Sequence, residues 1–178
     1  CTALTTVVTT ENTVFSEGMF SGCTGLTSFD FKGDILPGSI FNGCRKLASI
    51  TFTSENFRGI GERALLGTAI TSIRLPNGTY SIGKNAFPSR LQKVILSEGT
   101  VLEGLSESPF GTCYRFTAFE VDSGNTHYSV VDGLLLNKDQ TELISVPYGK
   151  TGITQATIPA TVKSLASGVF AEIGRAHV

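Results

Sequence analysis

The residues that could do chemistry are few. His127 sits in a polar turn between Asn125 and Tyr128, and Cys113 precedes it by fourteen residues. A Cys–His or Ser–His–Asp site needs a histidine held in place by a third group. The phase of Cys113 matches that of Cys23 and Cys44, which assigns it to a repeated interior position rather than to a nucleophile. Zinc needs several Cys and His ligands at short spacing. Cys1, Cys23, Cys44 and Cys113 are at least 21 residues apart. Asp132, Asp139 and Glu142 offer carboxylates for calcium, but without the alternating ligands and central glycine of a calcium loop. No glycine-rich phosphate cradle is present. These residues therefore call for no enzyme: no catalytic residue, no metal site and no cofactor. Asn77-Gly78-Thr79 matches the N-glycosylation acceptor pattern, which has meaning only in a eukaryotic secretory host.

Composition narrows the class further. Of 178 residues, 40% are hydrophobic and 16% charged, which suits a packed chain and not a disordered one. Fourteen Lys+Arg against fifteen Asp+Glu give a net charge of -1, without the basic excess of a nucleic-acid binder. No apolar run approaches the roughly 18 residues of a membrane helix. Twenty glycines, no tryptophan and many Ser and Thr suit short strands joined by turns.

A repeat supplies the elements. LTSFDF begins at Leu26, LASITF at Leu47, ITSIRL at Ile70, LQKVIL at Leu91, FTAFEV at Phe116 and ITQATI at Ile153. The first four steps are 21, 23, 21 and 25 residues. Each block is apolar at places one, four and six, the pattern of a strand with one buried face. Between blocks comes an apolar residue and, five positions on, usually Phe: Phe15/Phe20, Leu36/Phe41, Ile60/Leu65, Ile82/Phe87, Leu105/Phe110 and Leu165/Phe170. Three residues later stands Cys23, Cys44 or Cys113, and Cys1 has the same phase.

A unit with one short strand cannot bury its apolar side alone, so it must stack on its neighbours. The fold class expected is a β-rich solenoid with a leucine-rich-repeat-type parallel sheet. Its interior would carry continuous columns Leu26/Leu47/Ile70/Leu91, Phe29/Ile50/Ile73/Val94/Phe119 and Phe31/Phe52/Leu75/Leu96/Val121. Phe20/Phe41/Leu65/Phe87/Phe110 would fill the opposite wall. Its exposed column would read Asp30, Thr51, Arg74, Ile95, Glu120 and Thr157. Asp30 and Glu120 would stand about 19 Å apart at 4.8 Å per strand, too far for paired acid–base work. The candidate binding surface is Asp30, Ser49, Thr51, Thr53, Ser72, Arg74, Lys93 and Glu120, either a contact surface or a solvated face. Stacking also brings the cysteines within disulfide range, but parallel side chains suit the torsion poorly, and buried thiols are expected.

These motifs resemble the BspA-like (treponemal-type) leucine-rich repeats. The matching residues are Phe41-Asn42-Gly43-Cys44, Ile60-Gly61, Ile82-Gly83, Ala86-Phe87, Leu75-Pro76 and Ile158-Pro159. The ordinary subclass fits poorly, because its Asn/Cys place is occupied by Asp34, Glu55, Gly78 and Gly99. The resemblance covers residues 1–171, taken as one solenoid. It implies a non-catalytic, protein-binding module of an extracellular or cell-surface adhesin-like protein. Its partners would be host or cell-surface proteins, with a glycan as a further class. The alternative is a targeting arm or structural spacer of a larger secreted enzyme.

One segment and one end break the pattern. An insertion over about 122–150 should form a β-meander. Its strands would be Tyr128–Val131, Leu134–Leu136 and Glu142–Val146, with a tight turn at Asp132-Gly133. Asn125, Tyr128, Asp132-Gly133-Leu134 and Pro147-Tyr148-Gly149-Lys150 resemble elements found in the same family. The insertion reads either as a binding protrusion or as a flap packed on the solenoid. Residues 172–178 are set aside from the fold: Ile173 to Val178 match one reading frame of a common sequencing adapter, whose leading bases complete a codon for Glu172. His127 is then the only histidine left.

Overall fold

The computed structural model describes residues 1–103, 109–154 and 157–170. Leu105 and the set-aside residues 172–178 lie outside them. The chain is a β-solenoid, and no α-helix occurs among the described residues. Each coil lays one strand on a first wall, and the first three add a two-residue strand on a second. The first wall holds β1 (Ser28–Phe31), β3 (Ser49–Phe52), β5 (Ser72–Leu75), β7 (Lys93–Leu96) and β8 (Ala118–Val121). The second holds β2 (Ile35–Leu36), β4 (Gly59–Ile60) and β6 (Ser81–Ile82), all parallel in the order β2-β4-β6.

The interior follows the repeat. Leu26, Leu47, Ile70 and Leu91 are fully buried, as are Phe41, Leu65 and Phe87. Phe20 stacks on Phe41 with ring centroids 5.6 Å apart, and Phe87 on Phe110 at 5.2 Å. Leu65 interrupts the stack between them. Two residues before this column the backbone turns left-handed in every described coil: Gly18, Ser39, Arg63, Asn85 and Gly168 all have φ between 52° and 71°. Two residues after it, Gly22, Gly43 and Gly67 do so again, the conformation in which glycine carries no steric cost.

The Ile-Gly pairs mark where coils touch. A Cβ on Gly61 would lie 2.5 Å from the Gly38 amide nitrogen, and one on Gly83 equally close to that of Glu62. No side chain fits between backbones at that separation.

The first wall is not continuous, contrary to expectation. β1 pairs with β3, and β5-β7-β8 form a separate parallel sheet. Cα atoms of β3 and β5 lie mostly more than 8 Å apart, against about 4.8 Å for paired strands. The return from Leu65 to Ile70 is one residue shorter than that from Phe41 to Leu47. Ala69 N–H, one residue before its block, therefore bonds Leu47 O at 2.8 Å, whereas at the next junction the second residues of the two blocks make the corresponding contact (Gln92 N–H to Thr71 O, 2.8 Å). Ile50 and Phe52, with no strand paired on the β5 side, are only half-buried, while Phe29, Phe31, Ile73 and Leu75 in the same columns are buried. Phe57 covers part of this opening, its ring 4.6 Å from that of Phe52.

The meander forms as expected, with β9 (Tyr128–Val131), β10 (Leu134–Asn137) and β11 (Glu142–Ser145) antiparallel in turn. Asp132 and Gly133 both have positive φ, as a type I′ turn requires. It packs on the solenoid, as the flap reading expected, and also covers a second cluster. Leu135 enters the main core with Val130 and Ile144 packed beside it. Leu134, Leu136 and Leu143 face the other way, into a second cluster with Val146, Ile153, Ile158, Val162 and Val169. β12 (Ser164–Leu165) then pairs parallel with β11. The meander is thus a layer joining two cores.

Of the strand expected over 153–158, Gln155 and Ala156 lie outside the described residues, and Ile153, Thr154, Thr157 and Ile158 belong to no strand. The outer edge of β8 is occupied by the insertion, through Phe119 N–H to Gly133 O (3.1 Å) and Gly149 N–H to Phe116 O (2.7 Å). Thr157 lies in a turn instead, its N–H bonded to Thr154 O at 2.9 Å, and so does not extend the exposed column.

Candidate binding surface

The pleat turns alternate residues of β1, β3, β5, β7 and β8 outward. Asp30, Ser49, Thr51, Thr53, Ser72, Arg74 and Glu120 are exposed there, and Lys93 is half-buried. The break between β3 and β5 divides the eight. On the first part, Thr51 Oγ1 donates to Asp30 Oδ1, and Thr53 Oγ1 donates to Phe31 O at 3.3 Å. On the second, Arg74 Nη1 meets Asp122 Oδ2 at 2.6 Å, and Lys93 Nζ meets Glu120 Oε1 at 2.6 Å. The charges of β5-β7-β8 are therefore spent largely on each other. Asp122 escaped the sequence reading because Arg74 reaches it across β7, a contact between positions 48 residues apart.

The corner after these strands repeats a small device. Thr79, Thr100 and Asn125 occupy equivalent turn positions and are fully buried. Thr79 Oγ1 donates to Pro76 O at 2.7 Å, and Thr100 Oγ1 to Leu75 O and Pro76 O, both at 3.2 Å. Asn77 Oδ1 accepts from Gly99 N–H at 2.8 Å. The glycosylation acceptor pattern thus has its hydroxyl inside the folded chain.

The groups considered for chemistry are not brought together. His127 is exposed, its Nδ1 3.2 Å from Thr126 Oγ1. Cys113 is fully buried and its thiol donates to Pro88 O at 3.3 Å. Burial pushes that thiol up to about 12, so it stays protonated and unreactive. Burial also raises Cys44, whose thiol donates to Phe20 O at 3.0 Å. Cys23, Cys44 and Cys113 are buried and unbridged, and Cys1 is exposed. Among the described residues no three His, Cys, Asp or Glu side chains are placed to hold a metal ion. No helix among them is long and apolar enough to cross a membrane.

The insertion's motif residues hold it in place. Asn125 Nδ2 donates to Ser97 O (2.9 Å) and Thr100 O (3.2 Å), while its Oδ1 accepts from the amides of His127 and Tyr128. Tyr148 is buried against Tyr114, ring centroids 5.2 Å apart. A Cβ on Gly149 would lie 2.5 Å from Tyr114 O. Lys150 Nζ pairs with Asp132 Oδ2 at 3.1 Å, tying the strand exit to the type I′ turn.

Stacked coils of one strand, an αL turn, a buried Phe and a return through Cys define a leucine-rich-repeat solenoid. The family model "BspA type Leucine rich repeat region" matches residues 13–130 in six copies. The chain belongs to the BspA-type leucine-rich repeat family. No curated protein matches it. Among solved structures, a leucine-rich repeat protein from Eubacterium ventriosum is similar, with 25% identity and a TM-score of 0.66 over 88% of this chain and 42% of that one. The pneumococcal vaccine antigen PcpA aligns at 23% identity and TM-score 0.46, covering 83% of this chain and 40% of its own. A leucine-rich cell surface protein from Faecalibacterium prausnitzii aligns at 19% and 0.47, covering 86% and 41%. The chain spans about two fifths of the length of each.

Proposed function

We propose that this chain is a non-catalytic, protein-binding segment of a surface or secreted adhesin-like protein. The observation that carries the reading is the exposed face of β1 and β3. There Asp30, Ser49, Thr51 and Thr53 present a carboxylate and three hydroxyls from a rigid sheet, next to the opening above Ile50 and Phe52. Arg74, Lys93 and Glu120 flank it and set register more than affinity, because their charges are already paired. A repeat surface of this kind gains strength from many weak contacts acting together. Membership of a family whose members include surface proteins supports an extracellular or cell-surface location.

The test is binding of the protein to a panel of immobilised extracellular-matrix proteins, alongside Ser49→Arg/Thr51→Arg. These bulky cations on an exposed sheet face leave the core intact. Loss of a bound partner with an unchanged melting temperature supports the reading. Equal binding by wild type and variant removes this face from the interaction.

A further inference from the structure

The corner before β1, β3, β7 and β8 is a tight turn closed by a backbone hydrogen bond. Leu26 N–H bonds Cys23 O (3.2 Å), Leu47 N–H bonds Cys44 O (2.9 Å), Leu91 N–H bonds Pro88 O (3.0 Å) and Phe116 N–H bonds Cys113 O (2.9 Å). Two residues form the tip of each turn. In three of the four coils the tip carries cations: Arg45-Lys46, Ser89-Arg90 and Tyr114-Arg115, all exposed. Repeat phase places Lys46, Arg90 and Arg115 in one column, with Arg90 and Arg115 on adjacent coils about 4.8 Å apart. The sequence conceals this row, because its members are 44 and 25 residues apart and the net charge is -1.

These cations are uncommitted. The ion pairs among the described residues join Arg63–Glu62, Arg74–Asp122, Lys93–Glu120 and Lys150–Asp132, and leave out Arg45, Lys46, Arg90 and Arg115. The acidic residues Asp34, Glu55, Glu98 and Asp122 collect at the other end of the same strands. Roughly six strand residues, about 20 Å, separate the two edges. That exceeds two Debye lengths at physiological salt, so the acidic edge does not cancel the basic one.

We propose that this basic edge binds a linear acidic polysaccharide. Arginine forks match carboxylate or sulfate oxygens two at a time. Arg90 and Arg115 precede the paired strands β7 and β8, at an interval a regularly charged chain can follow. Tyr114, 57% exposed and braced edge-on by Tyr148, stands next to Arg115 and offers an apolar face to a sugar ring. An aromatic face interleaved with arginines favours a sugar over an acidic peptide. This edge is separate from the sheet face proposed for proteins, so either can fail alone.

The experiment measures binding to immobilised heparin, hyaluronan, neutral dextran and poly-glutamate at low and physiological salt. It compares wild type with Arg90→Gln/Arg115→Gln and with Lys84→Gln, an exposed cation on another turn. The expected result is binding to heparin, to hyaluronan or to both, but not to dextran. The double substitution should weaken it roughly tenfold and flatten its salt dependence, while Lys84→Gln does not. Heparin alone would assign sulfate, and both polymers would assign carboxylate. No binding to either polysaccharide, equal loss in the Lys84→Gln control, or equal binding to poly-glutamate would overturn the proposal. Equal melting temperatures confirm that the variants are folded.

Discussion

The Tyr128 hydroxyl sits on the backbone of Leu102, accepting from its N–H at 2.8 Å and donating to its C=O at 3.1 Å. One side chain thereby satisfies both polar groups of a residue that no strand pairs, and fastens the meander to the solenoid. Tyr128→Phe keeps the ring in the core and leaves Leu102 to find other partners. The expected cost is about 1–3 kcal/mol in chemical denaturation. Amide exchange should quicken in Tyr128–Val131 before it does in β5 or β7.

Two glycines should respond differently to the same methyl group. Gly43→Ala meets nothing closer than 3.9 Å, so its cost is only that of a left-handed alanine, about 1–2 kcal/mol. Gly61→Ala puts Cβ 2.5 Å from a neighbouring backbone nitrogen, which cannot move without parting two coils. Its melting point should fall well below that of Gly43→Ala, with a loss of at least about 3 kcal/mol. Equal melting points would mean that the coils are not held together where the Ile-Gly pairs stand.

The Cys113 thiol makes stability depend on alkaline pH. Its folded value is about 12 against an ordinary 9.0, with burial as the main cause and the Thr112 hydrogen bond opposing it. The protonated form is the one the fold favours. Its contribution is therefore complete below pH 9 and is lost as pH rises from 9 to 12, because the unfolded chain ionises first. The slope is about 1.4 kcal/mol per pH unit from this group. Wild type and Cys113→Ser should converge in stability over that window when unfolding is followed by denaturant at each pH. Parallel curves would place the thiol in contact with water.

Much of this was legible in the sequence because a repeat states its packing several times. Leu26, Leu47, Ile70 and Leu91 recur in phase and are all buried. The Asp132-Gly133 turn was legible from its dipeptide alone. The break beside β3 was not. Shortened returns occur both at Leu65–Ile70 and at Phe87–Leu91, yet only the first separates strands, since β5 and β7 stay in register. Length records that residues are missing, not whether a ladder can absorb the loss. The role of Leu134, Leu135 and Leu136 was hidden for a similar reason. A run of three leucines shows density, and only the fold shows that alternate members serve two cores. Alternation turned the eight surface residues outward, seven exposed and Lys93 half-buried. Their division and their pairing with Asp122 depend on contacts between distant coils.

The break also predicts where the solenoid opens. β7 is hydrogen-bonded on both sides, by β5 and by β8, whereas β3 is paired only with β1 and β5 only with β7. The second wall runs unbroken past the same level, through the β4–β6 pairing and through Gly83 N–H to Ile60 O and Leu65 N–H to Ala86 O, both at 2.8 Å. That wall holds the two halves together while the first wall is free to part. Native-state hydrogen exchange should therefore show β7 amides among the slowest of the chain. Ile50 to Phe52 and Ser72 to Ile73 should exchange faster, through a local opening that leaves the second wall protected. A partner strand entering the opening would slow the β3 and β5 amides without changing β7. Uniform protection across β3, β5 and β7 would instead require the strands to be paired in solution.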